Sequence, residues 1–293
     1  MSGVRSDVRF PSGDADCAGW LYRPESEAAP LVILGHGLGA VREMRLDAFA
    51  QRFREAGFAA LAFTYRGFGD SGGTPRQEID IARQLADWHA ALRHARGLDG
   101  IEHERIALWG TSFAGGHVFE VAADDGRVAA VVSQCPFTDG LASMTVANPI
   151  SAGRVLVQAL RDDLARLAGR GPIRVPIAGP PGSTALMTAP DAQPGVEALS
   201  QGYEIDHTVA ARIGTRVGFY RPGRAARRLT CPALMCVCEK DSVAPAKAAL
   251  RHAARAPRVD ARSYPIGHFE IYWGDGFERA VGDQIEFLRQ HLI

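Results

Sequence analysis

The 293-residue sequence predicts an α/β fold, with a mostly parallel sheet of about eight strands, flanking helices, and one helical or irregular insertion. Short apolar runs alternate with amphipathic segments from residue 31 to residue 133, and the connections between them are short. The alternation stops after residue 137 and resumes at residue 233. Strands and helices in alternation imply right-handed crossovers, so we expect parallel strands that are covered on both faces.

The predicted elements follow in order along the chain. Residues 4–23 predict two antiparallel strands around a turn at 11–14. Beyond them, apolar runs predict parallel strands, and apolar residues at every third or fourth position predict helices. The strands are 31–34, 59–65, 106–109, 128–133, 233–238 and 260–264, and the helices are 46–56, 79–94, 113–123, 246–254 and 277–292.

Residues 143–228 interrupt this alternation and are predicted to form a cap on a core made of residues 1–142 and 229–293. Helical character at 144–167 and 203–220 flanks a segment, 172–194, whose six prolines predict irregular structure. A long irregular stretch in a compact domain usually covers a site. We expect its apolar side chains to dock the cap on the core or to line an apolar pocket. They are Leu156, Leu160, Leu164, Leu167, Val175, Ile177, Leu186 and Met187.

Composition and charge exclude several classes of partner. The 33 basic residues balance the 33 acidic residues, which gives no support for binding nucleic acid or an anionic membrane. The first residues lack the features of a signal peptide, and no apolar run has the length of a membrane span. The five cysteines show no zinc-like spacing and are expected to be reduced thiols in the cytoplasm. The expected partners are a small-molecule substrate and a second copy of the chain in a homodimer.

A small-x-Ser-x-small segment lies where a predicted strand meets a predicted helix. Ser112 stands at its centre, with Gly110 two residues before it and Ala114 two residues after it. This is the setting of a nucleophile elbow, a turn so tight that the flanking positions must be small. Alanine at the last position replaces the commoner glycine and keeps the small side chain. We predict Ser112 as the nucleophile of acyl transfer chemistry.

A serine hydroxyl needs a base to remove its proton, and on this scaffold the acid and the histidine follow the serine in the chain. His268 lies directly after the last predicted strand and is the predicted base. Asp241 follows the strand 233–238 and is the predicted acid, with a helix cap as its alternative role. Asp139 is the rival acid after the preceding strand, and Glu239 ranks behind both.

A developing oxyanion needs two backbone N–H donors. We expect one from Phe113, which follows the nucleophile, and one from Leu38 in the loop Gly35-His-Gly-Leu-Gly39. Glycines on both sides of Leu38 let the backbone approach a substrate. His36 in the same loop is expected to brace it through hydrogen bonds, and His117, one turn into the helix after Ser112, is expected to pack there.

Together, five features resemble the α/β-hydrolase superfamily. They are Gly35-His-Gly37, Tyr65-Arg-Gly-Phe-Gly-Asp-Ser71, the Ser112 elbow, Asp241 and Gly267-His268. The resemblance covers the chain from about residue 4 to the end, apart from the cap. More narrowly, the sequence looks like bacterial serine esterases and peptidase-like hydrolases related to dienelactone hydrolase and the X-prolyl peptidases. The resemblance implies no metal and no organic cofactor, and it implies that Arg66 braces the elbow region.

The expected activity is hydrolysis of the carboxylic ester of a small or medium-sized substrate through an acyl-enzyme on Ser112. Leu186 and Met187 are the predicted substrate-binding residues. The same residues serve an acyltransferase, a thioesterase, or a peptidase or amidase, so these alternatives stay open. A binding protein without catalysis is disfavoured because the chain has a candidate for every triad position.

Overall fold

The computed structural model describes residues 5–293 and contains an eight-stranded sheet flanked by helices, together with a two-stranded sheet. The strands are β1 (Arg5–Ser12), β2 (Ala15–Tyr22), β3 (Ala29–Gly35), β4 (Ala59–Thr64), β5 (Ile101–Thr111), β6 (Ala130–Gln134), β7 (Arg174–Pro176), β8 (Thr208–Ala210), β9 (Ala233–Cys238) and β10 (Val259–Tyr264). The α-helices are α1 (Leu46–Glu55), α2 (Ile81–Ala95), α3 (Phe113–Asp125), α4 (Gly140–Val146), α5 (Pro149–Leu167), α6 (Ala192–Leu199), α7 (Ala246–Ala253) and α8 (Gly274–Leu292). Short 3₁₀ helices span Ala211–Thr215, Val217–Phe219, Pro222–Arg228 and Glu270–Tyr272.

The large sheet has the strand order β1-β2-β4-β3-β5-β6-β9-β10. The pairs β1–β2 and β2–β4 are antiparallel, and every pair from β4 to β10 is parallel. The prediction of a mostly parallel sheet of about eight strands is therefore confirmed. The strands β3, β4, β6 and β9 are buried along their whole length, which explains why they read as apolar runs such as Ala-Pro-Leu-Val-Ile-Leu-Gly in β3.

The parallel strands end at one edge of the sheet, and the predicted site residues lie in the loops that follow them. Gly110, near the end of β5, pairs with Gly35 of β3, and Thr111 pairs with Gln134 of β6. The loops after β9 and β10 carry Asp241 and His268. Ligands of open α/β sheets bind outside the carboxyl ends of the strands, so this edge is where a site is expected.

The segment 143–228 is more broken than the sequence predicted. One helix was expected over 144–167, but α4 ends at Val146 and α5 begins at Pro149. The Asn148 side chain accepts hydrogen bonds from the N–H groups of Ile150 and Ser151, at 3.0 and 3.1 Å, and so starts a new helix. Asparagine followed by proline is a typical helix start, and the uninterrupted apolar pattern hid it.

The proline-rich segment also has more regular structure than expected. Strand β7 pairs antiparallel with β8, and helix α6 begins at Ala192 and contains Pro194 in its first turn, where proline is tolerated. The predicted helical stretch at 203–220 is instead β8 followed by two of the short 3₁₀ helices. Paired strands of three residues are too short to leave a recognisable periodicity in the sequence.

The leucines of α5 point away from the rest of the protein, contrary to expectation. Leu156, Leu160, Leu164 and Leu167 are 48–76% exposed. The buried residues of α5 include Val155, Ala159 and Asp162. The Asp162 carboxylate accepts hydrogen bonds from the Arg212 guanidinium, at 2.7 and 2.9 Å, and from the Ile173 N–H, at 2.9 Å. A buried carboxylate must keep its partners, so this ion pair, rather than the leucines, sets the face that α5 buries.

Within residues 5–293, no helix combines the length and the apolar character needed to cross a lipid bilayer.

The Asp162–Arg212 pair gives a test of how the segment is held. Asp162→Asn should lower the free energy of unfolding by about 3 kcal/mol, because it breaks a buried ion pair and leaves Glu78, whose carboxylate is 3.1 Å from the Arg212 guanidinium, as the remaining counter-charge. The matched control is Asp163→Asn, whose partner Arg216 has a side chain that is 42% exposed, and it should cost less than about 1 kcal/mol. Urea unfolding measures both. Equal losses for the two variants would show that the buried pair does not set the helix orientation.

Candidate active site

Ser112 occupies a strained turn between β5 and α3. Its backbone has φ 55° and ψ −115°, a conformation that residues with a side chain rarely adopt. The Ser112 N–H donates to the Gln134 carbonyl (2.9 Å), and the Ser112 carbonyl accepts from the Phe137 N–H (2.8 Å). A Cβ on Gly110 would lie 2.2 Å from the Ala114 carbonyl oxygen. The structure thus explains why the elbow needs glycine at position 110.

The three residues predicted as a triad lie in one hydrogen-bonded row. His268 Nε2 is 3.1 Å from Ser112 Oγ, and His268 Nδ1 is 2.7 Å from Asp241 Oδ2. The side chains of His268 and Asp241 are 3% and 2% exposed. Burial by itself lowers the pKa of His268, but the Asp241 carboxylate and other negative groups nearby raise it above its ordinary value.

Asp241 also holds its own loop. Its Oδ1 atom accepts hydrogen bonds from the N–H groups of Val243 (2.9 Å) and Ala244 (2.6 Å), while Oδ2 faces His268. Helix α7 has Pro245 at its N-cap, so Asp241 closes a turn before the helix and does not cap it. The two oxygens of one carboxylate therefore carry two different contacts.

The rival acid Asp139 lies in other surroundings. It caps α4 by accepting from the N–H groups of Leu141 and Ala142, at 3.1 and 3.3 Å. It also forms an ion pair with Arg221 (2.8 Å) and lies 3.6 Å from His252. Burial raises the pKa of Asp139, and the Arg221 guanidinium and the backbone donors lower it by more. None of these contacts is with His268.

The loop after β3 packs directly against Ser112. A Cβ on Gly37 would lie 3.0 Å from Ser112 Cβ and 3.4 Å from its Oγ, so any side chain at position 37 would press against the serine. Leu38 and Phe113 border the same cavity as Ser112. Phe113 is the first residue of α3, and the amides of a first helical turn have no partner within their helix.

A cavity of about 820 Å³, including open space at its mouth, lies over Ser112 and is called the large cavity here. Leu186 and Met187, the predicted substrate-binding residues, both line it. Most of its other lining residues were not predicted, because they come from α4, the 3₁₀ helices and the loops after β6 and β9. They include Phe137, Ser143, Met144, Val146, Ile213, Val217 and Val243. The lining is largely apolar.

A row of buried hydrogen bonds that the sequence did not reveal lies beneath the elbow. Thr111 Oγ1 and the Tyr272 hydroxyl are 2.5 Å apart, and Gln134 donates to Thr111 Oγ1 at 3.2 Å. Gln284 in turn donates to Gln134 at 2.8 Å and accepts from Trp109 Nε1 at 2.9 Å. These residues are far apart in the sequence and belong to no single motif, so their contacts are visible only in the folded structure.

His117 and Arg66, two residues from the sequence motifs, form hydrogen bonds that stabilise the fold. Both ring nitrogens of His117 are engaged, by the Tyr220 hydroxyl (2.7 Å) and by Gln84 Oε1 (3.0 Å), and burial lowers its pKa to about 3. Arg66 binds Asp87 (2.5 Å) and Asp14 (2.9 Å) and so joins its loop to α2 and to the β1–β2 turn. Among residues 5–293, no group of three or more His, Cys, Asp or Glu side chains is placed to hold a metal ion.

Comparison with known proteins identifies the family of this chain. The family described as serine aminopeptidase, S33, matches residues 26–269. The quorum-quenching protein AidA of Acinetobacter baumannii is 51% identical over 286 residues, which cover 97% of this chain and 94% of AidA. The polyketide transferase grgF of Penicillium sp. is 28% identical over 98% of this chain and 97% of its own length.

Solved structures give the same result for the fold. The crystal structure of the α/β hydrolase GrgF from Penicillium sp. sh18 superposes with a TM-score of 0.84 at 28% identity, over 99% of both chains. The narrower likeness to dienelactone hydrolases and X-prolyl peptidases stays a prediction. The match to the family over most of the sequence shows that the chain belongs to the S33 serine aminopeptidase family of α/β hydrolases.

Proposed function

We propose that the protein hydrolyses a carboxylic ester of a small or medium-sized substrate through an acyl-enzyme on Ser112. The observation that carries this proposal is the row Ser112–His268–Asp241, with contacts of 3.1 and 2.7 Å. In such a row the Nδ1–H group of the histidine donates to the carboxylate, which leaves Nε2 free to take the serine proton. The match to the S33 serine aminopeptidase family supports a serine hydrolase, and cleavage of an ester bond is the specific activity that we propose.

The first half of the reaction forms the acyl-enzyme. Ser112 Oγ attacks the ester carbonyl carbon while its proton passes to His268 Nε2, and the carbonyl oxygen becomes an oxyanion held by the N–H groups of Leu38 and Phe113. The carbon–oxygen bond to the alcohol then breaks, and His268 gives its proton to the departing oxygen. In the second half, water attacks the acyl-enzyme, His268 takes its proton, and Ser112 Oγ recovers a proton as the acid leaves.

Residues 143–228 are proposed to act as a cap that forms the acyl pocket. Leu186 and Met187 from this segment share the large cavity with Ser112, and the apolar lining suits a hydrocarbon chain.

The exposed apolar face of α5 takes no part in this pocket. It is the surface through which we propose that two copies pair as a homodimer, and a light-scattering mass equal to one chain would exclude that assembly.

The names of the relatives suggest which substrates to test. AidA is named a quorum-quenching protein, so a diffusible signal with an ester or lactone bond belongs in the substrate panel. Other relatives are named polyketide transferase and thiohydrolase, which favour acyl transfer or thioester cleavage as the second candidate. The same acyl-enzyme serves all of these reactions, since only the leaving group or the acceptor differs.

A cytoplasmic location stays a prediction, and the five cysteines are free and buried.

Removing the nucleophile tests the proposed function. Ser112→Ala should lower kcat for an activated ester by roughly a thousandfold or more, because only binding and the oxyanion donors remain. The fold should persist, which circular dichroism checks. The matched control is Ser26→Ala at an exposed position, and it should leave kcat unchanged. A Ser112→Ala enzyme that keeps a tenth of the wild-type kcat would contradict the acyl-enzyme.

The two acids give a second test with a pH readout. Because the base must be neutral, kcat/KM falls as the pH drops through the pKa of His268, and Asp241 raises that pKa. The acid limb should therefore lie above pH ~6.5, the ordinary value for histidine. Asp241→Asn should lower kcat on the order of a thousandfold and move the limb to lower pH. Asp139→Asn should lower kcat by no more than a few fold and should leave the acid limb at the wild-type pH. If Asp139→Asn had the larger effects and Asp241→Asn the smaller, Asp139 would be the acid.

The acyl pocket is tested by chain-length preference. Leu186→Ala or Met187→Ala widens the large cavity and should raise medium-chain over short-chain ester turnover several-fold, since each methylene contributes to binding. Leu164→Ala, on the exposed face of α5, is the control and should leave the ratio unchanged. Unchanged ratios in all three variants would mean that the acyl chain lies elsewhere.

A further inference from the structure

Ser112 lies between two cavities. The large cavity is described above, and the small cavity holds about 380 Å³, including open space at its mouth. Leu38, Ser112 and Met187 line both of them, whereas His36, His268 and Tyr272 line only the small one. An ester has two parts that extend from opposite sides of its reacting carbonyl carbon. Two cavities that meet at the nucleophile match these two parts.

The small cavity is mostly apolar. Ala40, Met44, Ile177, Val196, Leu199 and Phe269 form much of its wall. The Tyr272 hydroxyl is already bound to Thr111 Oγ1. His36 is 2% exposed, and its Nε2 atom has no hydrogen-bond partner within residues 5–293. His36 Nε2 is therefore a buried nitrogen without a partner, on a residue that lines this cavity.

The hydrogen bond made by the other side of the His36 ring determines whether Nε2 donates or accepts. The imidazole is hydrogen-bonded to the backbone of Met44. The Met44 N–H donates to the Val41 carbonyl (2.9 Å), so the imidazole contacts the Met44 carbonyl, which only accepts. Nδ1 must then carry the proton. Burial lowers the pKa of His36 to about 3, so the ring is neutral and Nε2 presents a lone pair.

We propose that the small cavity takes the alcohol part of the ester, and that His36 Nε2 accepts a hydrogen bond from an N–H or O–H group on it. His36 is then a residue that selects the leaving group, in addition to bracing its loop as the sequence indicated. The inference rests on the proposed function. A site with a buried acceptor favours ligands that satisfy it and disfavours analogues that leave it unpaired.

Two esters of equal size test this selection. 2-Hydroxyethyl butanoate and propyl butanoate differ only by a hydroxyl in place of a terminal methyl group. We define the selectivity as the ratio of their kcat/KM values, divided by the ratio of their rates with hydroxide, which removes intrinsic reactivity. The wild-type selectivity should favour the hydroxyethyl ester by roughly three- to tenfold.

Two variants separate the ligand contact from the loop contact. In His36→Asn, the side-chain amide reaches the position of Nδ1 and keeps the bond to Met44, but nothing replaces Nε2, so the selectivity should fall to about one. In His36→Gln, the longer amide places an oxygen near Nε2 and should retain most of the selectivity. Labelling of Ser112 by a fluorophosphonate reports whether the site is assembled in each variant.

The outcomes distinguish this inference from the proposed function. A wild-type enzyme that hydrolyses both esters with a selectivity of one would refute the role of His36 and leave ester hydrolysis intact. So would a His36→Asn variant that labels normally and keeps the wild-type selectivity. A wild-type enzyme that hydrolyses neither these esters nor an activated ester would refute the proposed function itself. If neither variant folds, the selectivity of the wild-type enzyme alone tests whether the small cavity favours an alcohol part with a hydrogen-bond donor.

Discussion

The backbone of Ser112 has a conformation that persists only where the surrounding structure fixes it. Hydrogen bonds to Gln134 at the end of β6 and to Phe137 in the following loop fix it, and the absence of a side chain at Gly110 leaves room for the Ala114 carbonyl. The turn sets Ser112 at the carboxyl edge of the parallel sheet. The loops after β3, β9 and β10 lie at the same edge. They bring Gly37, Asp241 and His268 close to Ser112, although these residues are far apart in the sequence.

The core could be predicted from the sequence because its signals are local. An apolar strand buried on both faces reads as a continuous run, and the elbow at Ser112 combines small residues with a strand-to-helix change. The chain order of acids and histidines then leaves few candidates on this scaffold. Asp241 and Asp139 could be ranked but not separated by sequence, since both follow a strand and both bind backbone N–H groups. The contact with His268 distinguishes them.

The segment over the site was harder to predict, because long-range contacts decide its structure. The apolar residues of α5 repeat regularly and suggested a buried face, yet the pairing of Asp162 with Arg212 turns that face outwards. The strands β7 and β8 exist because they pair with each other across thirty-one residues (176 to 208), not because of their own pattern. Leu186 and Met187, the predicted substrate-binding residues, border the same cavity as Ser112. Phe137, Met144 and Ile213 also border it, but they lie in turns and short helices that have no recognisable sequence pattern.

The two cavities, the elbow and the row of three side chains give one account in which Ser112 forms a covalent acyl intermediate. The most direct test is to treat the protein with a fluorophosphonate, digest it, and locate the adduct by peptide mass spectrometry. The account predicts a single adduct on the peptide that contains Ser112, and its loss in His268→Ala, since the serine is unreactive without its base. Failure to label the folded protein, or an adduct on a different serine, would contradict it.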